Sequence, residues 1–292
     1  MEVFYGYWGL LFSSIQWISE NPKLALPTLF EQIFIMIITF LAMILLFFSV
    51  LGPEFLTTGK ISANSTNLTA LVVPFIIFSI ILMISSLIIS SYVSAATIGM
   101  SKSIVFGEKP DLGLGFRNGN KYFLKIIAVS IIRLILLMVS AIPLISGVFA
   151  DYAYGIAPAL TLIGVLVSLV LWVVTMILLI FTSQSIVVCG ESVIGSIKDS
   201  IRVLRENISD VIIVIVINII IVFCIVFVFV IINTILSFIP IVGSLLSIIL
   251  QVIVACLITP FLTLVLTYVY MDKKGLIHSN IENSEHMYED VT

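Results

Sequence analysis

Residues 211–232 read VIIVIVINIIIVFCIVFVFVII, an apolar run broken by one polar side chain, Asn218. A helix that crosses a bilayer needs about 20 largely apolar residues, and this stretch supplies them. The full run extends over about 208–238, and five more resemble it, at about 25–51, 70–100, 122–148, 157–189 and 241–271. Of the 292 residues, 61% are hydrophobic and only 10% charged. A soluble domain of this size has too few polar groups to cover so much apolar surface. The sequence therefore predicts an all-α integral membrane bundle of six transmembrane helices. Several runs exceed the minimum length, which implies tilt or extension past the membrane.

The cations fall on one side of these runs. Lys23 precedes the first span. Lys102, Lys109, Arg117, Lys121 and Lys125 follow the second, Lys198, Arg202 and Arg205 follow the fourth, and Lys273 and Lys274 follow the sixth. That is eleven of the thirteen Lys and Arg; the opposite side holds Lys60, and Arg133 lies inside the third span. Short loops rich in Lys and Arg stay in the cytoplasm, so the expectation is a cell-membrane protein with both termini cytoplasmic. Met1–Glu20 has no basic start and no small-residue cleavage site, so it does not read as a signal peptide. The triplets at Asn64 and Asn67 in the loop 52–69 read as solvated loop or as glycosylation acceptors. A net charge of -3 does not point to nucleic acid.

An internal repeat is visible. Ser14-Ile15-Gln16-Trp17-Ile18-Ser19-Glu20-Asn21 aligns without gaps on Ser200-Ile201-Arg202-Val203-Leu204-Arg205-Glu206-Asn207, and each octet precedes a long apolar run. Ser103–Glu108 likewise resembles Ser185–Glu191 with one insertion. The reading is one transmembrane domain, 1–275, made of units at about 1–100, 101–189 and 190–275. Each unit would be a cytoplasmic amphipathic elbow helix followed by a transmembrane hairpin. Residues 276–292 form an acidic tail with a disordered composition. In the first elbow, Phe4, Tyr7, Trp8, Leu11, Ile15 and Ile18 keep helical spacing. In the third, Val193, Ile197, Ile201 and Leu204 form the apolar stripe, and Lys198, Asp199, Arg202, Arg205 and Glu206 the polar face. Lys198, Arg202 and Arg205 are then candidate contacts for lipid headgroups. The middle elbow, Leu112–Gly119, is glycine-rich and is expected to fray.

Polar groups inside a span are costly and need an account. Glu31 and Gln32 lie in the first span, Arg133 in the third and Asn218 in the fifth. Each is on the first helix of a unit, so the expectation is one polar layer in which Arg133 meets Glu31, directly or through water. Such a layer would line a polar path, bind a headgroup or fix the packing. Ser86, Ser90 and Ser94, with Ser91, Ala95 and Gly99 beside them, read as small-residue packing stripes. Cys189, Cys224 and Cys256 lack metal spacing and read as packing residues. His278 and His286 fall in the tail. No catalytic motif or metal-ligand spacing appears, so no cofactor and no enzyme activity is expected.

Gly190-Glu191-Ser192-Val193-Ile194-Gly195-Ser196-Ile197-Lys198-Asp199-Ser200 precedes the fifth span. Pro260-Phe261-Leu262-Thr263 and Thr267-Tyr268-Val269-Tyr270-Met271-Asp272-Lys273-Lys274-Gly275 close the sixth. Together these segments resemble a prokaryotic family of polytopic membrane proteins. It includes the membrane domain of some glycerophosphoryl diester phosphodiesterases and stand-alone relatives of unknown function. The resemblance implies a six-helix membrane module. No catalytic residue carries over, because the histidines and metal carboxylates of that reaction have no counterpart here. The functional expectation is a non-enzymatic multipass module that handles lipid or a small solute, or supports membrane organisation. The alternative is a scaffold for another membrane protein; an intramembrane enzyme ranks last. The partners expected are membrane lipids and a membrane protein or a second copy of the chain.

Overall fold

A computed structural model describes residues 2–51, 68–154, 159–239 and 242–277. Lys60, the Asn64 and Asn67 triplets and the tail from 278 onward lie outside them. The elements are α1 (Glu2–Glu20), a 3-10 turn (Pro22–Ala25), α2 (Leu26–Leu51), α3 (Leu68–Val105), α4 (Leu112–Ser140), α5 (Ile142–Tyr154), α6 (Ala159–Leu178), α7 (Thr182–Cys189), α8 (Val193–Glu206), α9 (Ile208–Leu236) and α10 (Val242–Lys273). No strand occurs among the described residues.

Six spans are long and apolar enough to cross a membrane: Pro22–Phe47, Val72–Val105, Leu112–Ala153, Ala159–Cys189, Ile208–Leu236 and Val242–Lys273. Val and Ile dominate α9, and in water such residues favour strands. In lipid every backbone N–H and C=O must find a partner within its own segment, and the helix does this. The predicted all-helical membrane class is therefore the observed one.

α3 is the central helix. It packs along α4 most extensively, then against α2, α10 and α7. The buried core lies at the end of the bundle that carries the cations. Ile98, Val129, Phe181, Ile186, Val211, Val265 and Tyr270 meet there, and Leu24, Met100, Ile104 and Leu264 form a neighbouring cluster. Away from this end the side chains are exposed and apolar, as with Phe223, Phe227 and Val230 on α9. That surface suits lipid.

The two asparagines matched by the octet alignment act alike. Asn21 and Asn207 both leave helical geometry, at φ -126° and -133°. The Asn21 Nδ2 donates to the Trp17 carbonyl at 2.9 Å, and the Asn207 Nδ2 to the Val203 carbonyl at 3.2 Å. Each ends a separate elbow helix, α1 or α8. The middle unit has no such break: Leu112–Ser140 is a single helix.

Nor does its glycine-rich start fray. The Asp111 side chain caps it, accepting from the Leu114 N–H at 3.3 Å. Gly115 and Gly119 are buried, and a Cβ on Gly119 would sit 2.8 Å from the Tyr92 ring of α3. These glycines allow the two helices to touch. In the first elbow Ile15 is exposed and Ile18 half-buried. The side chains of Phe4, Tyr7, Trp8 and Leu11 lie outside those described.

Candidate functional site

The fourth span is broken in two. α6 ends at Leu178 and α7 starts at Thr182, and the turn between them opens the helical hydrogen-bond ladder within a membrane span. Backbone freed at that depth is tolerated only where protein satisfies it. Two neighbours do so. The Ser200 hydroxyl of α8 donates to the Leu178 carbonyl at 2.8 Å and accepts from the Phe181 N–H at 3.2 Å. The Arg133 Nη2 of α4 donates to the Leu179 carbonyl at 3.1 Å and to the Thr182 hydroxyl at 3.2 Å.

Arg133 thus faces the bundle, as its cost in lipid requires. Its Nε is buried without a partner. Beside it opens a cavity of about 440 Å3 between α2, α3, α4 and α7. Glu31 lines the same cavity, with Ser90 on the same wall. Ser86, Ser91, Ser94, Ser130 and Ser183 add hydroxyls, and Met83, Leu87, Ile126, Leu134 and Leu137 supply the larger, apolar part of the wall.

Several expectations need correction here. Glu31 and Arg133 share a cavity, as expected of them, but of the two expected forms of contact the direct ion pair is absent. The break at 179–181 offers Arg133 a closer carbonyl and hydroxyl. The predicted single layer also divides, because neither Gln32 nor Asn218 lines this cavity. Asn218 is buried at 7% exposure in α9, where its Nδ2 donates to the Val214 carbonyl at 2.9 Å. Ser86, Ser90 and Ser94, read as packing residues, line the cavity instead.

A second polar centre was missed. Asp199, assigned to the solvated face of the elbow, is only 5% exposed. Ser196, Ser200, Val203 and Leu204 are buried with it, so the inward face of α8 is turned from the predicted stripe. The Asp199 Oδ2 accepts from the Tyr270 hydroxyl at 2.6 Å and the Ser185 hydroxyl at 2.9 Å. The Lys274 Nζ lies 2.7 Å from Oδ1, and Arg202 pairs with the same oxygen. Burial pushes the Asp199 carboxyl up, but the hydrogen bonds from Lys274, Tyr270 and Ser185 and the Lys274 charge outweigh it and hold the group below the usual carboxylate range. The Cys189 thiol also touches the Tyr270 hydroxyl, at 3.3 Å. Arg202 is therefore bound into this node, while Lys198 and Arg205 stay exposed as proposed headgroup contacts require. The polar run Thr182-Ser183-Gln184-Ser185 at the end of an apolar span was the available signal for both centres.

Fold and site together define a multipass, six-span membrane protein with a broken span and a polar intramembrane cavity. Compared with family models, curated proteins and solved structures, the chain matches none.

Proposed function

We propose that the chain is a non-enzymatic membrane module that admits a small solute or a lipid headgroup bearing both charges into the Glu31–Arg133 cavity. The observation that carries this reading is the pair itself: a carboxyl and a guanidinium line one space of about 440 Å3, among serines and apolar side chains, with no direct ion pair between them. Ionisable groups inside a membrane are expensive, and where they line a cavity they mark solute paths and ligand sites. The volume lies within the range of small-ligand pockets. Broken helices at a packed interface are a recurring way to build such sites in transport proteins. Resemblance to the phosphodiesterase membrane domain is compatible with lipid handling, and the two segments that carry it meet at the Asp199–Tyr270 hydrogen bond.

The test is composition. Wild type, Glu31→Gln, Arg133→Leu and the cavity-filling Ser130→Leu are purified in nanodiscs, and the molecules retained are compared by mass spectrometry. A species held by wild type and reduced about tenfold in all three variants, a loss of about 1.4 kcal/mol in binding, supports the proposal. Identical contents across the four proteins sink it.

A further inference from the structure

The bundle has a second polar cavity, at the end that carries the cations. It measures about 550 Å3 and lies between the end of α3, the start of α4 and the end of α7. Three cations line it, Lys102, Arg117 and Lys121, against one carboxylate, Glu108. We propose that this cavity binds a phosphate group, carried either by a lipid headgroup or by a small solute.

Arg117 and Lys121 are four residues apart on α4 and so share one helix face. Arg117 is exposed and forms no hydrogen bond or ion pair among the described residues, which leaves its planar fork free for two phosphate oxygens. The Lys121 ammonium stands 5.0 Å from the centre of the Tyr122 ring. That contact positions the ammonium without consuming a donor hydrogen. Lys102 spends one donor on the Val188 carbonyl, at 3.0 Å, and keeps two.

Asn118, on the same wall, is pressed against Gly99, where any Cβ would collide with its amide. The neighbouring carbonyls of Gly190 and Glu191 would repel an anion, but Lys125 already covers them at 3.1 and 3.0 Å. Depth fits as well: Lys102 lies near the end of the second span, and Arg117 and Lys121 near the start of the third. Cations at that level meet phosphates. The proposal is independent of the Glu31–Arg133 reading, because the two cavities share no lining residue.

Calorimetric titration of the full chain in an uncharged detergent tests it, with inorganic phosphate and short-chain phosphatidic acid as probes. Arg117→Gln with Lys121→Gln should weaken binding at least about tenfold, the loss of one charge-assisted contact or more. Lys23→Gln, an exposed cation outside the cavity, should change it less than about twofold. Glu108→Gln should tighten binding, a gain that misfolding would not produce. Saturable binding of inorganic phosphate with these effects assigns the site to a solute; binding of phosphatidic acid alone assigns it to a headgroup. No binding of either probe, or equal losses in the Lys23 and Arg117/Lys121 variants, overturns the proposal.

Discussion

Asp199 shows how one side chain can reverse the reading of an element. Its place among Lys198, Arg202 and Arg205 suggests a solvated face, yet the structure buries it against Tyr270 and Ser185. Its depressed carboxyl makes the node sensitive to acid. A carboxyl whose folded value lies below its ordinary 3.8 contributes stability that is fully present above that pH. The contribution is lost as pH falls through the lower, folded value. Thermal unfolding in detergent from neutral to acid pH should show this loss, and Asp199→Asn should remove that step. The same variant should cost about 1.5–3 kcal/mol at neutral pH, the worth of a hydrogen bond to a charged group. In a double-mutant cycle with Tyr270→Phe, the two losses should couple by about 0.5–3 kcal/mol. An unchanged acid profile with additive losses would show that Asp199 is not the centre of a network. Arg133 was half legible: its cost in lipid indicated an inward direction, but its partners depend on a break whose position hydropathy does not mark.

At the scale of the elements, the spans were legible because lipid imposes length and apolarity together. The observed limits of five spans stay within about five residues of the predicted runs, but the third starts at Leu112 rather than near 122, because its helix continues through the basic stretch Arg117–Lys125. The breaks were not legible, because Leu178–Thr182 is as apolar as its surroundings until the hydroxyls begin. The middle elbow was misread for a related reason: Gly115 and Gly119 look like helix breakers until α3 is seen against them. The α5–α6 hairpin depends on the same device. A Cβ at Gly164 would lie 2.5 Å from the Pro143 carbonyl oxygen, which is backbone and cannot rotate away. Gly164→Ala should therefore lower stability by about 1–3 kcal/mol, as overpacking does. Gly9, in α1, has open space around it, and Gly9→Ala should be neutral or stabilising by up to about 1 kcal/mol. Thermal unfolding of the two variants in the same detergent compares them, and equal effects would contradict the packing described for α5 and α6.

For the whole molecule, the charge split predicts a cytoplasmic basic end. In a cysteine-free background, a cysteine at Tyr152, which is 90% exposed, should react from outside intact cells. Cysteines at Lys109 and Lys198 should not; the opposite pattern would invert the orientation. The proposed function requires a solute-accessible cavity within the membrane between α2, α3, α4 and α7. Its most direct measurement is the reaction of a small hydrophilic thiosulfonate with cysteines placed one at a time in native membranes. Ser90→Cys and Ser130→Cys line the cavity. Ser79→Cys, on the exposed face of the same α3, does not line it. The first two should be modified, more slowly once Ser94→Leu fills the cavity, and position 79 should not react. Unreactive cysteines at 90 and 130, or a rate at 79 equal to theirs, would contradict it.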